Sequence, residues 1–514
     1  MAFGAALRRH APWAALPLGA LHSLAFAPAA LWPFGPLGLA LLWASWQGAT
    51  PRRAAASGFA FGAGLFLAGT YWLYTSIHTI GEAPIVIALV LMLGLVALMA
   101  TYTALLAALA ARYVPEPGPW RELAVLPAGW VLAEWLRGWV LSGFPWLAVG
   151  YSQIDTPLAG YAPVFGIYGV SFATAITAGA VLFAARVGWR GRGAVAAALA
   201  VLWCGGALLA RVEWTHPVGP PLTAALVQGA IAQDNKWEAA GRLHAREVYA
   251  RLTHDAIGAR LIVWPESALP ELYHEAVPFL APIYNDARAH GSDLLLGQVR
   301  YDTAHERFRN GLVALSDDEQ WYYKRRLVPF GEFFPVPAFV RVWMAKMSLG
   351  YVDFLPGDAA QPPLAAGGQK IAATICYEDA YAVEQLAVLG EATLLVNVSN
   401  DAWFGDSSAP HQHLQIARMR ALEAGRWLMR ATNNGVSAFV DPHGRVAAYA
   451  VQFHEVVLHG TVVPYAGLTP YARMRNWPVL GGCFALLVCA AVARRRRACE
   501  GVSDRRGPPC DARG

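Results

Sequence analysis

Charge is what this chain has least of. Asp, Glu, Lys and Arg make up 15% of its 514 residues, where soluble domains carry about 25%. Hydrophobic residues reach 56%, with 20 tryptophans, and mean hydropathy is +0.35. This excludes an ordinary soluble enzyme and points to a membrane protein. The net charge of +5 does not mark a nucleic-acid binder, because the basic residues gather where a membrane topology puts them. Cysteine is scarce as well. Of six cysteines, Cys376 alone lies in the long polar half, so that half cannot close an internal disulfide even in an oxidising compartment. His411 and His413 form an H-x-H pair that no cysteine or carboxylate cluster joins. Neither a metal nor a cofactor is expected.

Lys and Arg are missing from alternate loops, and that absence orients the chain. Apolar runs long enough to count as candidate spans are Trp13–Ala27, Leu31–Trp46, Ala54–Tyr74, Ile85–Ala111, Ala124–Val140, Val164–Ala185, Gly193–Ala210 and Trp477–Ala493. Arg8 and Arg9, Arg52 and Arg53, Arg112 and Arg121, Arg186, Arg190 and Arg192, and Arg494 to Arg497 all fall on one side of an eight-span arrangement. The intervening loops Thr75–Ala83 and Leu141–Pro163 hold no Lys or Arg. The basic side is the cytoplasm. The expected layout is a membrane domain at 1–211, an extracytoplasmic domain at 212–475, a closing span at 476–493 and a basic cytoplasmic tail at 494–514. Arg8, Arg9 and the run ending Ala25-Phe-Ala-Pro-Ala-Ala30 also fit a cleaved signal peptide. Cleavage would remove the first span and leave the rest unchanged.

From about residue 212 the pattern changes. Short β-rich runs appear at Leu222–Gln228, Leu261–Trp264, Leu294–Gln298, Gly311–Leu315, Ile371–Cys376, Leu394–Val398 and Val436–Val440. Amphipathic helical patterns lie between them at Arg242–Ile257, Glu275–His290 and His413–Leu428. Strands alternating with helices predict an α/β sheet domain.

Three of these strand ends carry reactive groups. Leu261-Ile-Val-Trp-Pro-Glu266 ends in a carboxylate, Trp321-Tyr-Tyr-Lys324 in an amine, and Ile371-Ala-Ala-Thr-Ile-Cys376 in a thiol. Groups on strand ends are held rigidly and can converge at one sheet edge. Acyl transfer through a thioester uses all three. A thiol is mostly protonated at neutral pH and needs a base, which Glu266 can be. Lys324 can hold positive charge where the tetrahedral oxyanion forms and keep Glu266 oriented. The Tyr377 N–H is a natural second oxyanion donor.

Trp-Pro-Glu266, Lys324 and Cys376-Tyr-Glu resemble the Glu-Lys-Cys triad of the nitrilase superfamily. Asn397-Val-Ser-Asn-Asp-Ala-Trp-Phe-Gly405 resembles its segment after the nucleophile strand. Gln228-Gly-Ala-Ile-Ala-Gln-Asp-Asn-Lys-Trp237, Lys324-Arg-Arg-Leu-Val-Pro-Phe-Gly-Glu332 and Gly143-Phe-Pro-Trp146, with spans on both sides of the domain, are similar to the apolipoprotein N-acyltransferase family. That resemblance implies an αββα sandwich and a bacterial inner-membrane location with the catalytic domain periplasmic. It implies transfer of a fatty acyl chain from a phospholipid donor to the α-amine of a diacylated apolipoprotein acceptor. It also implies that Glu332, Glu378 and Tyr377 support the triad, Glu378 by orienting Lys324. Trp237, Asn397 and Ser399 are implied to lie at the substrate.

Two further features bear on lipid. Val336, Phe339, Val340, Trp343, Met344 and Met347 form one apolar helical face, with Arg341 and Lys346 off it. This reads as a lid that meets the bilayer beside Glu332, with Trp343 on substrate, or as a core-packed helix. Glu134 and Arg137, at i and i+3 in the fifth span, read as an internal pair. A membrane-anchored amidase using the same triad, and a scaffold with an idle enzyme domain, remain alternatives.

Overall fold

A computed structural model describes residues 11–114, 116–233, 236–334 and 353–503. The apolar segment Val336–Met347, with Trp343, lies outside the described residues.

The membrane part consists of α1 (Ala11–His22), α2 (Phe34–Ser45), α3 (Pro51–Gly69), α4 (Ile85–Tyr113), α5 (Leu126–Arg137), α6 (Ala162–Ala184) and α7 (Trp189–Leu209). Among the described residues, four helices are long and apolar enough to cross a membrane: α4, Pro157–Ala184, α7 and Trp477–Arg494. Helix α3 with Trp72–Ile80, bent by 55°, makes a fifth. The other three expected spans appear as α1, α2 and α5, of 12 residues each. Helix α2 alone is only about 18 Å long, against a hydrocarbon core of about 30 Å. Helical turns at Ser23–Ala25 and Arg121–Val125 extend α1 and α5 without a break.

Helix α6 is broken at Gly166, whose φ of +66° only glycine adopts readily. The Tyr471 ring occupies the place of a side chain there. The freed Ile167 N–H donates to Glu423 Oε1 at 2.6 Å. A residue of the polar half thus caps a membrane helix, and the two halves share one continuous core that runs from Trp43 and Leu126 to Ile416 and Met419.

Among the described residues the polar half holds two six-stranded sheets, beside a two-stranded ribbon of His216–Pro217 with Tyr465–Ala466. The first strands are β1 (Leu222–Gln228), β2 (Leu261–Val263), β3 (Asp293–Asp302), β4 (Arg307–Leu315), β5 (Glu319–Tyr323) and β6 (Leu364–Ala366). The rest are β7 (Gln369–Ile375), β8 (Leu394–Ser399), β9 (Leu428–Thr432), β10 (Ala438–Val440), β11 (Val446–Tyr449) and β12 (Val456–Val462). One sheet has the order β12-β1-β2-β3-β4-β5, the other β11-β10-β9-β8-β7-β6. In each the central strands are parallel, β1-β2-β3 and β7-β8-β9. They are apolar on both faces, as covered parallel strands are. Leu226, Val263 and Leu295 meet Ile371, Val396 and Met429 between the sheets. Helices α8 (Ala239–Ala256) and α9 (Tyr273–Ala289) cover the outer face of the first sheet. Helix α10 (Ala409–Ala424) covers the second. The layers are α-β-β-α, and a last helix, α11 (Trp477–Ser503), follows.

The pattern read as one helix over His413–Leu428 is two elements. Gly425, at φ +61°, is a left-handed stop. The apolar residues beyond it form β9, paired with both β8 and β10.

Candidate active site

The two sheets bring their strand ends together at one edge. After β2 the chain stays zipped to β3: Trp264 N–H donates to Leu295 O at 2.8 Å and Gly297 N–H to Pro265 O at 3.2 Å. That delivers Glu266 at a fixed point. Strand β5 ends at Lys324, whose N–H donates to Asn310 O on β4 at 2.8 Å. The Lys324 ammonium donates to Glu266 Oε1 at 3.1 Å and to Glu332 Oε1 at 2.9 Å. Asn310 Nδ2 donates to the same two oxygens, at 2.7 and 2.8 Å. The second oxygen of Glu266 accepts from Asn400 N–H, just past β8, at 2.9 Å.

Cys376 follows β7 on the facing sheet. It is buried, with φ +51°. Burial pushes its thiol well up. Glu266 adds to that effect, while Lys324 and Ser399 pull it back. Burial alone would push Lys324 down, but Glu266, Glu332 and Cys376 together hold it well above the usual lysine value. At rest the site therefore holds a neutral thiol, a permanent ammonium and two carboxylates around that ammonium. Such a set can move a proton from sulfur to carboxylate and stabilise an oxyanion.

Residues 18–180 match the model of the apolipoprotein N-acyltransferase N-terminal domain, and residues 223–471 match the carbon-nitrogen hydrolase model. A curated apolipoprotein N-acyltransferase from Methylococcus capsulatus is 43% identical over 500 residues, covering 96% of this chain and 98% of its own. Those of Chromobacterium violaceum and Azotobacter vinelandii are 43% and 42% identical. Each match covers 94% of this chain, and 94% and 95% of theirs. The chain belongs to the apolipoprotein N-acyltransferase family. Like its family it is a membrane protein, with a nitrilase-type sandwich attached to an apolar helical part.

The remaining residues singled out in the sequence are placed as follows. Glu332 sits on Lys324 and also accepts Val328 N–H at 2.7 Å. Glu378 does not reach the Lys324 ammonium as expected. Its carboxylate accepts Arg325 N–H at 2.6 Å, Ile375 N–H at 2.8 Å and the Tyr322 hydroxyl at 2.9 Å. It ties the peptide after Lys324 to the strand before Cys376. Tyr377 donates to Gly143 O at 3.0 Å, and Tyr381 reaches the same loop, so the Gly-Phe-Pro-Trp segment buttresses the nucleophile turn. Glu134 and Arg137 brace that loop in turn, Arg137 on Trp146 O at 2.8 Å and Glu134 on Val149 N–H at 2.8 Å.

Trp237 is 53% exposed and free to meet a ligand. Asn397 and Ser399 support the nucleophile turn from inside the domain. Both are fully buried, with Asn397 on Thr374 and the Cys376 carbonyl and Ser399 on Asp401. Among the described residues no group of three His, Cys, Asp or Glu could hold a metal. His413 instead binds two aspartates. Sequence reasoning missed Asn310, a single polar residue inside an apolar strand. It also missed Lys236, buried beside Glu266. Its ammonium donates to Ser267 O at 2.7 Å, and burial lowers it to about 8 against the pull of Glu266.

Proposed function

We propose that this chain transfers a fatty acyl chain from a membrane phospholipid to the α-amine of a diacylglyceryl-cysteine at a lipoprotein N-terminus, through a thioester on Cys376. The supporting observation is the buried ammonium shared by two carboxylates beside a neutral thiol. Because the thiol is not ionised at rest, Glu266 takes its proton as sulfur attacks the ester carbonyl. The oxyanion forms against Lys324 and the Tyr377 N–H. The tetrahedral intermediate collapses, the C–O bond breaks, and Glu266 returns the proton to the leaving lysophospholipid oxygen. In the second half the lipoprotein amine attacks the thioester, Glu266 accepts the amine proton, and sulfur leaves to be reprotonated. An α-amine with an ordinary pKa of about 8 is partly neutral and able to attack.

Both substrates live in a bilayer, which suits a catalytic domain that shares its core with apolar helices. Arginines in alternate loops support a periplasmic position for that domain in the inner membrane. Trp237 is assigned a contact with the lipid or the peptide. The Val336–Met347 segment, with Trp343, is assigned the role of a lid on the bilayer.

The test is acyl-enzyme trapping. Protein in mixed micelles with phosphatidylethanolamine gains one acyl mass on Cys376, by intact mass spectrometry. A diacylated lipopeptide with a free amine then removes it and becomes N-acylated. Release to water alone, with no acylated peptide, overturns the reading in favour of a membrane-anchored hydrolase.

A further inference from the structure

The nucleophile turn adopts a backbone conformation that its residue type disfavours. Left-handed φ is disfavoured for a non-glycine residue, and it persists only where the surroundings over-determine it. Cys376, at φ +51°, is held from beneath. Its carbonyl accepts from His413 Nε2 at 3.2 Å and from Asn397 Nδ2 at 3.4 Å. His413 lies on α10, is fully buried, and has acceptors at both ring nitrogens. Nδ1 is 3.1 Å from Asp401 Oδ1, and Nε2 is 2.9 Å from Asp379 Oδ1. An imidazole with an acceptor at each nitrogen satisfies both only as the cation. Burial and Arg430 oppose that charge, but Asp379 and Asp401 prevail and raise the ring to about 9.

Arg430 on β9 completes the group, with Nη1 3.3 Å from Asp379 Oδ2 and Nη2 3.0 Å from Asp401 Oδ2. It also donates to Asn397 Oδ1. Two aspartates and two cations thus form a charge-balanced block, sealed from solvent. Asp379 lies three residues after the nucleophile. Asp401 directly follows Asn400, whose N–H binds Glu266.

A trans peptide points its C=O and its N–H in opposite directions. Ala27-Pro28 is the one cis bond among the described residues, so the Cys376–Tyr377 peptide is trans. We infer that His413 is a positioning residue for acyl transfer: with Asn397 it holds the Cys376 carbonyl down into the domain, and this turns the Tyr377 N–H of the same peptide into the site as an oxyanion donor. The membrane part reaches the same helical turn. Trp146 packs on the His413 ring at 5.5 Å. The neighbouring Gln412 accepts from Trp146 Nε1 at 2.7 Å and donates to Gly69 O at 3.1 Å. The nucleophile's peptide is therefore set where the two halves of the molecule dock.

The inference rests on the thioester reading above, and the test separates the two. The full-length protein is compared with His413→Ala and His413→Gln. First-turnover acylation of Cys376 from phosphatidylethanolamine needs the oxyanion donor. Alkylation of the same thiol by iodoacetamide forms no tetrahedral oxyanion and does not need it. Acylation by H413A falls about 100-fold, the loss typical of one oxyanion donor. Its alkylation rate and its KM for phospholipid stay within about threefold of the unaltered protein. H413Q, whose amide N–H can still donate to the Cys376 carbonyl, recovers about tenfold of the acylation, as one regained hydrogen bond allows. Equal loss of acylation and alkylation in both variants means a general collapse of the turn and overturns the inference, as does acylation that stays at the unaltered rate in H413A. If the unaltered protein never carries an acyl chain, the thioester reading falls and takes the inference with it.

Discussion

Cys376 stands between two clusters of opposite design. On one side, Glu266 and Glu332 share the single ammonium of Lys324, with Asn310 and the Asn400 N–H as the other donors. On the other side, Asp379 and Asp401 face His413 and Arg430. Both clusters are buried, but in the second the charges pair one to one, while in the first two carboxylates share one hydrogen-bonded ammonium and the other nearby cation, Lys236, is lowered to about 8 by burial and turned to the Ser267 carbonyl. Buried charge is costly unless paired, and a carboxylate that shares its ammonium with a second carboxylate, beside a thiol, is placed to accept a proton. The balanced cluster has no proton to move between partners and serves to hold backbone in place. Shared charge goes with chemistry here and one-to-one pairing with architecture.

The sharpest break in that contrast comes from the side of the shared ammonium. Cys376→Ala removes the acyl adduct altogether. Glu266→Gln keeps the volume but not the base, and lowers first-turnover acylation by about 10²–10⁴-fold. Its melting temperature stays within a few degrees, because Lys324 keeps Glu332. Acylation near the unaltered rate in E266Q would sink the assignment of the base. On the balanced side the order of effects reverses. Arg430→Leu strips two buried aspartates of a partner and costs about 3–5 kcal/mol of stability, read by denaturant melting in detergent. The pair of half-buried Arg418 with exposed Asp155 serves as the reference, at under about 1 kcal/mol for Asp155→Asn. An R430L melt as mild as that reference removes the structural half of the comparison.

Next in size is a pH effect. His413 is raised from 6.5 to about 9, so its charged form belongs to the folded state. Its contribution is fully present below about pH 6.5 and is lost as pH rises through about 9. At 1.36 kcal/mol per unit this amounts to on the order of 3 kcal/mol. The groups facing the ring are Asp379 and Asp401, with Arg430 beyond them and the neutral Trp146 on its face. Denaturant melts from pH 6 to 9.5 lose stability in that window, and the loss is absent in H413Q. A flat profile in the unaltered protein means that the ring is neutral and the cluster unbalanced after all.

The three reactive residues were legible because each ends an apolar run of strand length, and strand ends in a layered sandwich meet at an edge. The central strands were legible for the same reason, as short runs apolar on both faces. Strand β9 was not: after α10 the apolar spacing continues, and only Gly425 marks the stop. The balanced cluster was invisible because its members are scattered. Asp379 is 34 residues from His413, and Asp401 is 12 away. Side chains from a turn, a loop, a helix and a strand meet only once both sheets are assembled, so His413 read only as half of an H-x-H pair with no carboxylate cluster. Glu378 binds the backbone N–H of Arg325 and not the expected Lys324 ammonium, since nothing in the spacing tells a side-chain ammonium from the backbone N–H one residue further on.

Asn310 has the smallest expected effect and is the finest probe of the contrast. It lies 44 residues from Glu266 and 22 from Glu332, and nothing in Arg307–Leu315 announces that its amide bridges them. Its two N–H groups supply hydrogen bonds that the lone ammonium of Lys324 cannot. Asn310→Ala leaves Lys324 in place, because the backbone carbonyl that receives the Lys324 N–H remains. What goes is one of three tethers on each carboxylate, worth about 1–2 kcal/mol and so roughly tenfold or slightly more in kcat. The first-turnover rate of N310A checks this, with phospholipid KM read alongside. A loss as large as that of E266Q would show that the amide, and not the ammonium, orients the base. No loss at all would show that Lys324 and the Asn400 and Val328 N–H groups suffice to hold the two carboxylates.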